Sequence, residues 1–149
     1  MPDSIHKKLE SISAQCDELL LNEHLAKLVA EANTNIPQIE IKDLVIDENT
    51  ILLDVREPEE FASGFIPAQT VLTIPRGKLE FLAIEKIAKV YGQNAKIITY
   101  CLKGPRGSLA AMQLKRLGFT NVSNIKGGIM EWIKSGKIIK NYMGEFKLV

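Results

Sequence analysis

Lys96-Ile97-Ile98-Thr99-Tyr100-Cys101-Leu102-Lys103-Gly104-Pro105-Arg106-Gly107-Ser108 decides how this chain is read. Lys96 to Tyr100 is a short, largely apolar run, the pattern of a strand covered on both faces. It ends on a cysteine. A tight loop then leads into an Ala- and Leu-rich segment, Ser108 to Leu117, which has helical character and stops at Gly118. Strand, loop and helix in that order place Cys101 at the carboxyl end of a sheet strand, where open α/β sheets gather ligands and backbone N–H groups converge. Gly104 and Gly107 let the loop curl with its amides inward, while Lys103, Arg106 and the helix dipole add positive charge. Each of these lowers a thiol pKa, so the sequence predicts a Cys101 that is substantially thiolate near neutral pH and nucleophilic.

On either side the pattern alternates. Ile51-Leu52-Leu53-Asp54-Val55 is a second buried strand and Val122 to Ile125 a short third one. Leu79 to Tyr91 has helical periodicity through Leu79, Leu82, Ile87 and Val90 and stops at Gly92, and Gly127-Gly128 opens a last helix in which Trp132 is expected as a core anchor. Strands alternating with helices of this length imply an α/β fold with a mostly parallel sheet and helices on both faces. Residues 4 to about 33 carry a different pattern. Ile5, Leu9, Ile12, Cys16 and Leu19 form one helical stripe, and Leu21, Leu25, Leu28 and Ala32 form another, displaced by two positions, so a helical hairpin or a stuttered helix both fit. Asn33 to Pro37 is a linker. The expected division is an amino-terminal helical extension, residues 1–35, and an α/β domain, residues 36–149. The stripes of the extension suit packing or a homodimer interface.

The chain has 149 residues, 46% of them hydrophobic and 25% charged, which suits one globular domain and argues against disorder, a collagen-like repeat or a two-domain enzyme. Nineteen basic against eighteen acidic side chains leave +1, which speaks against a nucleic-acid coat. Residues 101–149 nevertheless hold nine basic and two acidic side chains, a surplus that attracts anions. Lys115, Arg116, Lys126, Lys134, Lys137 and Lys140 fit a solvated face that steers such anions, since aromatic residues are sparse among them. Cys16 and Cys101 stand far apart, with no CxxC pair, so neither a disulfide framework nor a zinc site is expected; a reducing, cytoplasmic setting fits. No run approaches the roughly 20 apolar residues of a membrane span. His6 and His24, the only histidines, both belong to the amino-terminal segment, which disfavours a Cys–His hydrolase or a metal centre.

The loop Cys101-x-x-Gly104-x-Arg106 resembles the active-site loop of rhodanese sulfurtransferases. Leu52-Leu53-Asp54-Val55-Arg56-Glu57 is similar to the family's first signature, Gly64-Phe65-Ile66-Pro67 with Ile74-Pro75-Arg76-Gly77 to its second, and Gly127-Gly128-Ile129-Met130-Glu131-Trp132 to its closing motif. They occur in the family's order from near Ile39 to Lys140. The resemblance implies a five-stranded parallel sheet and makes Cys101 the nucleophile that holds sulfane sulfur as a persulfide. Leu102, Lys103, Gly104, Pro105, Arg106 and Gly107 become the substrate cradle, closed by Arg106, and Asp54 and Arg56 order the site. No cofactor or metal is implied. Lys103 suits a dianionic donor, so thiosulfate is expected, with a thiol or cyanide as acceptor. A protein acceptor would make the domain a sulfur carrier or interaction module instead. Four residues separate Cys101 from Arg106, where phosphatases of this architecture have five, which disfavours phosphate and arsenate chemistry. The chain also departs from the family. Pro105 removes one backbone donor from the cradle. Phe65 stands in place of a common histidine, Gly107 in place of a common Ser or Ala, and two residues are added between Pro67 and Ile74.

Overall fold

The structure, a computed structural model, describes residues 23–148. The expected stripe Ile5, Leu9, Ile12, Cys16 and Leu19, together with His6 and Leu21, lies outside the described residues. The two apolar runs form strands β2 (Thr50–Asp54) and β4 (Lys96–Tyr100), buried almost throughout. They pair in parallel register, Asp54 opposite Tyr100. On the far side of β4 lies β5 (Val122–Ile125), and beyond it the edge strand β1 (Gln38–Ile39). On the far side of β2 lies β3 (Thr70–Thr73), within the segment that carries the two added residues. The order is β1-β5-β4-β2-β3 and every pair is parallel, the five-stranded sheet that the resemblance implies.

Strand alternation distributes the core. Ile51, Leu53, Ile97 and Cys101 turn to the face that meets Leu79 and Ala83 of α3 (Leu79–Ala83) and Ala110, Ala111 and Leu114 of α5 (Pro105–Arg116). Helix α1 (Glu23–Asn35) packs along α5. Leu52, Ile98 and Tyr100 turn to the other face, against Ile66 and Ile129 of α6 (Gly128–Lys134). Helices on both faces therefore follow from runs that are apolar at consecutive positions. The short helix α2 (Pro58–Ser63) follows β2. The connection from β2 runs outward to β3, whereas that from β4 runs the opposite way to β5. The carboxyl ends of β2 and β4 thus flank the point where the strand order reverses.

Local differences from the sequence reading have identifiable causes. Helix α5 starts at Pro105, three residues before Ser108, because a proline in the first turn gives up no intrahelical bond and is already set to helical φ. The segment from Leu79 is interrupted: α3 passes through a π turn, Ile84–Ala88, into α4 (Lys89–Tyr91), before Gly92 ends it at φ 90°. The wider turn rotates the residues after it. Val90, expected on the buried stripe, is 66% exposed, while Ile87 is fully buried. On α1 the inward positions are Leu25, Val29 and Ala32, leading to Ile36, and Leu28 is exposed. Trp132 is half-buried at the margin of the second core, not at its centre, its indole N–H donating to the Ile138 carbonyl at 2.8 Å. A carboxyl-terminal hairpin, β6 (Ile139–Asn141) with β7 (Gly144–Phe146), joins that face through Ile139 and was not visible in the sequence pattern.

Candidate active site

Cys101 follows β4 directly and is 1% exposed. Its Sγ accepts the Gly104 N–H at 3.1 Å. Gly104 is the N-cap of α5, so the sulfur lies against the amino end of a twelve-residue helix, where the dipole favours negative charge. Two further bonds fix the loop from above. The Cys101 carbonyl accepts Ile129 N–H at 2.9 Å and the Leu102 carbonyl accepts Met130 N–H at 3.1 Å, both from the first turn of α6. In trans peptides N–H and C=O point oppositely, so these bonds turn the Leu102 and Lys103 amides away from α6. Gly128 permits this approach: it sits at φ 63°, and a Cβ there would lie 2.5 Å from both carbonyl oxygens.

A buried polar network supports the loop from below. Asn124 of β5 donates through Nδ2 to Gln38 Oε1 at 2.9 Å and Ser108 Oγ at 3.0 Å, with the Gly104 carbonyl at 3.2 Å. The Thr99 hydroxyl lies 3.0 Å from Asn124 Oδ1 and 2.9 Å from the Gly107 carbonyl. Gly107 packs against Asn124 so closely that a Cβ would collide with its Oδ1. Ser108 Oγ donates to Asn33 Oδ1 at 2.6 Å, which ties the network to α1. Sequence reasoning passed over Asn124, Thr99, Gln38 and Asn33. The available signal was the Ser123-Asn124 pair inside the short strand Val122 to Ile125.

Asp54 and Arg56 form a buried ion pair. Arg56 Nη2 lies 2.7 Å from Asp54 Oδ2 and also donates to the Gly64 carbonyl at 2.7 Å, while Arg56 N–H donates to Asp54 Oδ1 at 2.9 Å. Burial works against the Arg56 charge, but the hydrogen bonds and charge of Asp54 outweigh it and raise the pKa. Burial, then the Asp54 charge, pushes the Tyr100 phenol well up; its hydroxyl accepts Ile66 N–H at 3.1 Å. The pair thus anchors the chain that leaves β2, near Tyr100 at the end of β4. Phe65 stacks on Phe61 with ring centroids 4.4 Å apart.

Arg106 reaches across the reversal point to Glu60 of α2. Nη1 lies 2.7 Å from Oε1 and Nη2 2.9 Å from Oε2, a two-pronged pair. The Arg106 hydrogen bond, opposed by partial burial, holds the Glu60 carboxyl below its ordinary range. Glu60 also closes a capping box with Glu57, whose N–H donates to Oε1 at 3.2 Å. Glu60 was not among the residues singled out from sequence; the acidic first turn after Pro58 was the only hint. Lys103 is exposed on the loop, and Pro105 is half-buried in the first turn of α5.

Among the described residues no group of His, Cys, Asp and Glu is placed to hold a metal ion, and no helix is long and apolar enough to cross a membrane. His24 is exposed in the first turn of α1, roughly 14 Å along the helix axis from Asn33. A cavity of about 600 Å³ lined by Asn35, Ile36, Lys115, Phe119 and Val122 lies at the amino end of β5, the opposite end of the sheet from Cys101.

Comparison with known proteins agrees with this geometry. A mitochondrial protein of Schizosaccharomyces pombe, provisionally named a thiosulfate sulfurtransferase, is 37% identical over 94 residues, 58% of this chain and 65% of its own length. A Bacillus subtilis protein provisionally named a sulfur carrier is 34% identical over 107 residues, 69% of this chain and 54% of its own length. The chain therefore spans less than two thirds of either relative. A solved structure from Rhodopseudomonas palustris, of unknown function and described as a possible tyrosine phosphatase, is 28% identical and superposes with TM-score 0.67 over 78% of this chain and 93% of that one. Residues 38–135, which hold the whole sheet, the Cys101 loop and α6, match the rhodanese-like domain, and the chain belongs to that family.

Proposed function

We propose that the protein is a sulfurtransferase that carries sulfane sulfur on Cys101, taking it from thiosulfate or a similar small anion and giving it to a thiol or cyanide. The observation that supports this most is the Gly104 N–H on Cys101 Sγ at 3.1 Å, at the amino end of α5. In the first half-reaction the thiolate attacks the outer sulfur of thiosulfate. The S–S bond of the donor breaks, its electron pair leaves with sulfite, and Cys101 holds the persulfide. In the second, the acceptor attacks the outer persulfide sulfur and the electron pair returns to Cys101 Sγ. The amide cradle stabilises negative charge on sulfur in both halves. Exposed Lys103 suits a dianionic donor. Neither a cofactor nor a metal enters this cycle, and the setting we propose is cytoplasmic, without a nucleic-acid or membrane partner.

Similarity to the Bacillus protein favours a second reading, a carrier that loads once and delivers its sulfur to a partner protein. Likeness to the R. palustris structure raises phosphate-ester chemistry, against which stands the four-residue spacing between Cys101 and Arg106. Two assays separate the three. Thiosulfate and cyanide should give continuous thiocyanate release that Cys101→Ser abolishes. Loading from thiosulfate with no thiocyanate release on adding cyanide points to a carrier. Hydrolysis of an aryl phosphate without thiocyanate would overturn the sulfurtransferase reading.

A further inference from the structure

We propose that Glu60 tunes the charge preference of the site, acting through Arg106 so that the cradle disfavours donors of higher negative charge. The inference rests on the sulfurtransferase reading above and concerns how far the site prefers one donor charge over another. Arg106, the second residue of α5, is part of the cradle and carries the charge that would meet an incoming anion. One edge of its guanidinium is occupied by Glu60, at 2.7 and 2.9 Å, the geometry of a charge-assisted bidentate pair. Glu60 is anchored on its own helix. Its Oε1 also accepts the Glu57 N–H, and its carbonyl accepts the Ser63 hydroxyl at 2.6 Å, so α2 holds the carboxylate and the carboxylate aims the guanidinium. The two side chains come from opposite sides of the strand-order reversal and are 40% and 28% exposed, open to solvent and to a competing anion.

An anionic donor that approaches the loop therefore meets a fixed negative charge and competes with it for Arg106. Coulomb repulsion scales with the donor's charge, so a carboxylate at one place repels a dianion twice as strongly as a monoanion. A doubled free energy is a squared factor in rate or affinity. Glu60→Gln removes the charge while keeping a side chain that serves a capping box equally well.

The experiment measures kcat/KM for sulfur loading from thiosulfate, a dianion, and from benzenethiosulfonate, a monoanion, in wild type, Glu60→Gln and Glu60→Asp. Glu60→Gln should raise kcat/KM for the monoanion about threefold and for the dianion about ninefold, an approximate square relation set by charge alone. High salt should shrink the difference between the donors, and Glu60→Asp should return the wild-type ratio. Equal changes for both donors, or a fall for both in Glu60→Gln, would overturn the inference while leaving sulfur transfer intact. Wild-type protein that loads from neither donor would overturn the sulfurtransferase reading and this inference with it.

Discussion

Asp54 and Arg56 put an ion pair inside the molecule. Both are buried, and each satisfies the other while Arg56 also holds Gly64. Arg56→Met fills the space but leaves the Asp54 carboxylate without its partner, which costs about 3–5 kcal/mol. Thermal or denaturant unfolding measures it, and a loss below about 1 kcal/mol would mean that Asp54 finds another partner. Lys103, by contrast, is exposed on the loop. Lys103→Ser should weaken loading from thiosulfate severalfold and from a neutral donor very little; equal losses would remove its role in donor recognition. That Cys101, Gly104 and Arg106 share one loop between a strand end and a helix start was legible from the sequence because that arrangement is local. Glu60 was not, since its partner lies 46 positions away and nothing in Glu57-Pro58-Glu59-Glu60 distinguishes a site residue from a helix start.

At the scale of elements, the loop is held between two helices that contribute backbone more than side chains. The α5 amino end supplies the Gly104 amide, and the first turn of α6 takes the Cys101 and Leu102 carbonyls. Gly128 is where the second contact is most exacting. Gly128→Ala places a Cβ against two carbonyl oxygens at a positive φ, so α6 must move off the loop, at a cost of about 2–4 kcal/mol from strain and overpacking. Sulfur loading should fall together with stability, and a variant that unfolds early yet loads normally would show that α6 does not order the cradle. Strong elements such as β2 and β4 were plain in the sequence because nearly every residue of a buried parallel strand is apolar or small. The two-residue β1, the π turn after α3 and the β6–β7 hairpin were not, because each depends on tertiary partners.

The whole molecule joins helix α1 to the Cys101 loop. Asn33 of α1 accepts from Ser108, Ser108 meets Asn124, and Asn124 meets the Gly104 carbonyl. Removing residues 1–35 therefore withdraws both the cover of α5 and an acceptor from the network beneath Cys101. Melting temperature and loading rate should drop together, whereas an unchanged rate would show that the loop stands without α1. None of this coupling is visible in the helical stripes, which report burial but not the polar contacts of Asn33. The fold was legible from alternation and turn residues; the connection between extension and site required the side chains in place. The central claim is that Cys101 itself takes the sulfur. Intact-protein mass spectrometry after incubation with thiosulfate, in wild type and Cys101→Ser, tests it most directly. The account predicts a gain of one sulfur atom in wild type, absent from Cys101→Ser and lost on adding cyanide. The same gain in Cys101→Ser, or none in wild type, would contradict it.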